Sequence, residues 1–130
     1  MCEVSSNVDL VREAFTAFMR GDVDRALELA DPDIVCLRAP PIPDPQTYHG
    51  RDGVLQMYAD WTTDFDEFQM AALDAFEESG KVFLDVAQRG VGKASGVEVS
   101  GRFWFVFTVA GGRITRMDAY LTREQALASS

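Results

Sequence analysis

The sequence predicts an α+β domain in which helices come first and an antiparallel sheet follows. Three observations carry this. Apolar residues recur at helical spacing in segments up to about residue 62, and the pattern turns to strand from Asp66 onward. Turn signals at Ser79-Gly80, Ser95-Gly96 and Gly111-Gly112 divide the second half into runs of strand length. A chain of 130 residues, 47% apolar with nine Phe, three Tyr and two Trp, can fill one core, so residues 1–130 read as a single domain.

The elements follow in order. Ser6 with Asp9 reads as a capping box, and Val8, Val11, Phe15, Phe18 and Met19 share one helical face behind it, which gives a helix from about residue 7 to Arg20. Gly21 stops that helix and Asp22 caps a second one, which carries Ala26, Leu27 and Ala30 and ends at Asp31-Pro32. Ile34 to Arg38 reads as a short strand. The run Ala39-Pro40-Pro41-Ile42-Pro43-Asp44-Pro45 supplies too few N–H donors for helix or central strand and reads as a stiff rim loop. Val54, Met57, Tyr58 and Trp61 then mark a third helix over about 51–62.

Four consecutive antiparallel strands are predicted: Phe68 to Glu77, Val82 to Gly92, Val97 to Val109 and Arg113 to Leu121. In the second, Val82, Leu84, Val86, Gln88 and Gly90 share one face, and Phe83, Asp85, Ala87 and Arg89 share the other. The run Phe103-Trp104-Phe105-Val106-Phe107 is apolar on both faces, so both need cover. Helices cover one, and a second copy of the sheet is the expected cover for the other, which predicts a homodimer. Residues 122–130 read as a short terminal helix.

Bulk chemistry excludes several classes. Twelve basic against twenty-one acidic residues leave a net charge of −9, which repels nucleic-acid backbones and anionic lipid surfaces. Cys2 and Cys36 cannot form a disulfide framework and read as reduced thiols. With no signal-like start and no long apolar window, a soluble cytoplasmic protein is expected. One histidine and two distant cysteines give no metal-ligand cluster, and His49 reads as a loop residue. No nucleophile elbow, phosphate loop or dinucleotide fingerprint occurs, Gly90-Val91-Gly92 and Gly111-Gly112 being hairpin features, so no cofactor is expected.

Taken in order, Val11-x-x-x-Phe15-x-x-Phe18-x-x-Gly21-Asp22, Tyr48-His49-Gly50-Arg51-Asp52-Gly53-Val54, Gly112-Arg113-Ile114 and Tyr120-Leu121-Thr122-Arg123-Glu124-Gln125-Ala126-Leu127 resemble the SnoaL-like and ketosteroid-isomerase-like families of the nuclear transport factor 2 (NTF2)-like superfamily. The resemblance spans nearly the whole chain. It implies a cone-shaped barrel, a curved antiparallel sheet wrapped around the N-terminal helices, whose open end takes a small apolar molecule. Polyketide cyclases, steroid isomerases, epoxide hydrolases, dehydratases and binding domains all occur on this fold, so the site must choose among them.

Steroid isomerisation needs a carboxylate base and a donor pair for the enolate. The register implied by the resemblance puts Ala14 at the tyrosine donor, Arg38 at the base and Trp104 at the neutral acid, which argues against that activity. Where epoxide hydrolases and many SnoaL-like members carry an acid in the last strand, this chain has Ala119; alternation turns the adjacent Asp118 to the opposite face.

The remaining pocket candidates are Arg38, which the resemblance points into the cone, and Gln88 on the inward face of its strand. Around them Phe15, Phe18, Tyr58, Trp61, Trp104 and Met117 form an aromatic-rich lining, with Ala119 beside them. Each has a plainer reading: Arg38 as a rim cation, Gln88 bonded to backbone, the phenylalanines as core. Three classes of function stay open. They are a domain binding a small apolar or aromatic ligand, a cyclase- or isomerase-like enzyme using Asp118 or Asp85, and a structural dimerisation module.

Overall fold

The computed structural model describes residues 7–38 and 46–128, so the Ser6 cap and the Pro-rich run lie outside the described residues. Helix α1 (Asn7–Met19) buries the small residues Val11, Ala14 and Ala17, which let its axis approach the sheet closely. It ends in a Schellman motif. Gly21 takes φ +89°, its N–H reaches the Phe18 carbonyl at 3.1 Å, and the Asp22 N–H reaches that of Ala17 at 2.8 Å. Asp22 then caps α2 (Val23–Glu28), accepting from the Arg25 N–H at 3.4 Å.

The second helix is shorter than its sequence predicts, and strand β1 (Ala30–Arg38) begins inside the expected helix. Pairing to the sheet overrides helical propensity there: the Ile114 N–H donates to the Leu29 carbonyl at 2.8 Å, and Ala30 pairs with Ile114. Pro32, which has no N–H to give, falls where the register between Ala30 and Val35 is broken. A further strand, β2 (Gln46–His49), stands where the sequence suggests a turn and pairs Tyr48 opposite Cys36. Helix α3 (Gly50–Thr62) starts directly from it. Gly53 is required at this junction, because a Cβ there would lie 3.0 Å from the Tyr48 carbonyl carbon.

The meander then runs β3 (Phe65–Glu78), β4 (Lys81–Gly92), β5 (Glu98–Ala110) and β6 (Arg113–Tyr120), and α4 (Arg123–Ala128) ends it. The sheet order is β2-β1-β6-β5-β4-β3. The three pairings of the β3-to-β6 meander are antiparallel as expected and the unforeseen β2 also pairs antiparallel to β1, but β1 runs parallel to β6. No hairpin joins those two strands, so no turn fixes their direction. The sheet is curved and unclosed, a wrapped cone rather than a complete barrel.

Alternation divides the sheet into two apolar faces. On the inner face Leu84 lies opposite Phe105 and Phe105 opposite Ala119, while Val86 faces Phe103 and Val82 faces Phe107. On the outer face Phe83, fully buried, meets Val106 and stacks on Phe76 at 5.1 Å and 7°. Ala126 and Leu127 of α4 close over this outer cluster, and the Arg123 guanidinium lies 5.4 Å from the Phe76 ring centroid. The inward set Phe103, Phe105 and Phe107 is covered within the chain, while on the outer side Val106 is buried and Trp104 stays partly exposed. Among the described residues no helix is long and apolar enough to cross a membrane.

The outer cluster should hold the fold as a true core. Phe83→Ala is expected to lower unfolding free energy by about 3–5 kcal/mol, the range for deleting a buried phenyl ring. Leu55→Ala, at an exposed helix position, should change it by no more than about 0.5 kcal/mol. Denaturant unfolding followed by circular dichroism compares the two, and equal effects would refute this assignment of the core.

Candidate functional site

Between the inner face and the helices lies an apolar cavity of about 100 Å³. Helix α1 supplies Phe15 and Phe18, α3 supplies Tyr58 and Trp61, and the sheet supplies Phe105 and Met117. Ala14, in the register of the missing donor, also lines it. Helical spacing puts Phe15 and Phe18 to one side of the buried Val11–Ala14 stripe, which is why they are half-buried wall or better rather than the centre of the core. Phe18 meets Tyr58 edge-on, with ring centroids 5.0 Å apart.

Trp61 is the junction of the site. Its ring lies 4.8 Å from Phe103 and 6.1 Å from Phe105, and its indole N–H donates to Gln88 Oε1 at 2.7 Å. The Arg38 guanidinium carbon sits 5.4 Å from the Trp61 ring centroid, in the range of a cation–π contact. Gln88 is therefore satisfied by a side chain, not by neighbouring backbone. Arg38, like Cys36 two residues earlier, faces inward, and it pairs across the sheet with the fully buried Ala119.

Behind the indole lies a polar cluster in which the sequence marks only Arg38. The Tyr48 hydroxyl donates to Asp60 Oδ2 at 2.8 Å, and Gln56 donates to Asp60 Oδ1 at 2.7 Å. These two hydrogen bonds hold the Asp60 carboxyl below its ordinary pKa, with Arg38 lowering it further. Burial and the Asp60 carboxylate push Tyr48 upward, against the pull of Arg38. Tyr48 escapes a reading of the sequence because β2 looks like a turn there. Asp60 gives one weak signal, its four-residue spacing from Gln56 on α3.

Trp104 changes place, Ala119 faces inward without lining the cavity, and the two candidate carboxylates point outward as alternation predicts. Trp104 is on the outer face, opposite Asp85 and Tyr120 and 6.1 Å from Phe76, so it lines no part of the cavity. The inward positions flanking it, Phe103 and Phe105, have no ionisable group either. Asp85 also faces outward, where Arg102 grips it through Nε at 3.2 Å and Nη2 at 2.6 Å. Asp118 faces outward too, as alternation predicts, and is held by Arg116 at 3.0 Å. Neither carboxylate reaches the pocket. His49 sits exposed at the start of α3 and makes no side-chain cap. Among the described residues no group of three or more His, Cys, Asp or Glu could hold a metal.

Cys36 contributes the cavity wall's one thiol, and burial together with the Asp118 charge pushes its pKa up to about 12. A thiol is inert while protonated. In a Cys2→Ser background Cys36 should therefore not react with a disulfide reagent at pH 8 until the protein unfolds; rapid native-state reaction would contradict the closed wall. Because the folded pKa is raised from 9.0, Cys36 adds stability that is complete below pH 9 and is lost as pH rises toward 12.

Residues 11–117 match the SnoaL-like domain family. A comparison with curated proteins finds no match. Among solved structures, an NTF2-like protein of unknown function from Burkholderia pseudomallei superposes with TM-score 0.77 at 22% identity, covering 96% of this chain and 97% of that one. TerC co-crystallised with polyporic acid gives TM-score 0.77 at 18% identity, with 96% and 97% covered. A protein from Jannaschia named as a SnoaL-like polyketide cyclase gives 0.71 at 16%, with 98% and 96% covered. These likenesses establish the NTF2-like fold. With its family match over most of its length on that fold, the chain belongs to the SnoaL-like domain family.

Proposed function

We propose that this protein binds a small, flat, apolar ligand carrying an acidic or carbonyl oxygen. The observation that carries the reading is the apolar cavity on the inner face, with Arg38 and Gln88 held at one side of it by Trp61. Such a site has the composition of a binding pocket: apolar walls that supply affinity and a few polar groups that fix orientation. The polyporic acid co-crystallised with TerC supports this ligand class by analogy of fold.

Binding is favoured over acid–base turnover because of the pKa directions near the site. An efficient general acid or base titrates near the working pH. Tyr48 is moved up and Asp60 down, so both are driven away from neutrality. Asp85 and Asp118 are on the far face of the sheet. For the same reason a β,γ-unsaturated ketosteroid should not be turned over above background in an ultraviolet assay.

A thermal-shift screen of aromatic acids and their neutral parents, followed by calorimetry, tests the reading. Hits should lose binding in Ala14→Leu, which fills the cavity, while that variant keeps or gains thermal stability. For charged hits Arg38→Ala should weaken binding by about 1.5–3 kcal/mol, the value of a hydrogen bond to a charged group. Undiminished affinity in Ala14→Leu would place the ligand elsewhere and overturn the proposal.

A further inference from the structure

Resting on that binding reading, we propose that Trp61 is a gate that separates the apolar cavity from Arg38 and Gln88, so that the pocket admits multi-ring aromatic anions only when the indole swings aside. The cavity is too small for such a ligand as it stands. Its volume is about 100 Å³, whereas an apolar void of about 150 Å³ is what accommodates a single benzene ring. The polar groups that would orient an anion are not on the cavity wall. Both instead engage the indole: Gln88 Oε1 accepts its N–H at 2.7 Å, and Arg38 lies over its ring at 5.4 Å.

Moving that one side chain does three things together. It adds the volume of an indole to the cavity, it frees the Gln88 amide, and it opens the vacated space to Arg38, which keeps its interactions with Tyr48 and Asp60. The ligand can supply what the departing indole supplied. A second aromatic ring can pack on Phe103 and Phe105, which lie 4.8 and 6.1 Å from the indole. A carboxylate or enolate oxygen can take the place of the ring face beside Arg38. A neutral single ring brings no oxygen to Arg38 or Gln88, so it does not replace the contacts the indole would give up. The ligand class that opens the gate is thus an anion wider than one ring.

The test uses 2-naphthoate and toluene as probes on the full chain labelled with 15N at tryptophan. The only other tryptophan, Trp104, lies on the outer face and serves as an internal reference. With 2-naphthoate the Trp61 indole N–H cross-peak should shift and lose its protection from exchange while that of Trp104 stays; toluene should leave Trp61 in place. Trp61→Ala should bind 2-naphthoate about tenfold more tightly, since one neutral hydrogen bond and one ring contact no longer have to be broken. Trp61→Phe, which keeps a ring and loses the donor, should fall between. If 2-naphthoate binds wild type with the Trp61 signal unmoved, or if folded Trp61→Ala gains no affinity while toluene still binds, the gate is refuted and the binding reading stands. If neither probe binds either protein, both fail. The spectrum of the wild type decides the matter even if Trp61→Ala does not fold.

Discussion

The strict alternation along β5 is the constraint on which the rest of the molecule depends. Phe103, Phe105 and Phe107 must point inward together, which forces Trp104 and Val106 outward together. The inner set then needs α3, whose Trp61 packs on Phe103 and Phe105. The outer set needs α4, which brings Ala126 and Leu127 down on Phe83 and Val106. A slip of one residue would exchange the two sets and leave an indole in the cavity and three phenyl rings under a six-residue helix. Hairpin partners on both sides prevent it, Leu84 pinning Phe105 from β4 and Ala119 from β6.

The same alternation decides where charge can go. Asp85 and Asp118 are both almost fully buried, with 8% and 4% exposure, yet each is on the outer face within reach of an arginine. Burying a carboxylate is costly unless it is hydrogen-bonded to such a partner. The inner face of β4, β5 and β6 is left with no carboxylate at all, and its polar groups come from the margins: Gln88 far along β4, Arg38 at the end of β1, Tyr48 on β2 and Asp60 on α3. An interior so arranged can orient an anion. It has no base poised near neutrality to take a proton from one.

Most of this architecture is legible in the sequence, for reasons that differ by element. The meander is readable because β4 alternates and because Ser79-Gly80 and Gly111-Gly112 have the chemistry that tight hairpins require; both residues of each pair adopt positive φ. Helix α1 is readable from its apolar spacing and from Gly21. The start of β1 is not, since Ala30 and Asp31 look like a helix end until the strand Arg113–Tyr120 is there to pair with Ala30. β2 is hidden behind a Pro-rich run, and with it go Tyr48 and the Asp60 cluster. Trp104 is easily misplaced because a run apolar on both faces gives no clue to which residue faces which side. The inward candidates Phe15, Phe18, Tyr58, Trp61 and Met117 do meet at one cavity. Arg38 and Gln88 meet each other through Trp61, a link between distant segments that spacing along the chain does not encode.

The cavity itself weighs against a purely structural module. Apolar wall without packing partners gives up dispersion energy that a filled core would keep. The wall includes residues whose enlargement would recover it: Ala14, Ala26 and Ala30 all border the space. Three alanines around one void, with an arginine and a glutamine occupied by the adjoining indole, are a poor solution for a dry core. They become a coherent one if the space is completed by a ligand, which supplies the missing apolar contacts.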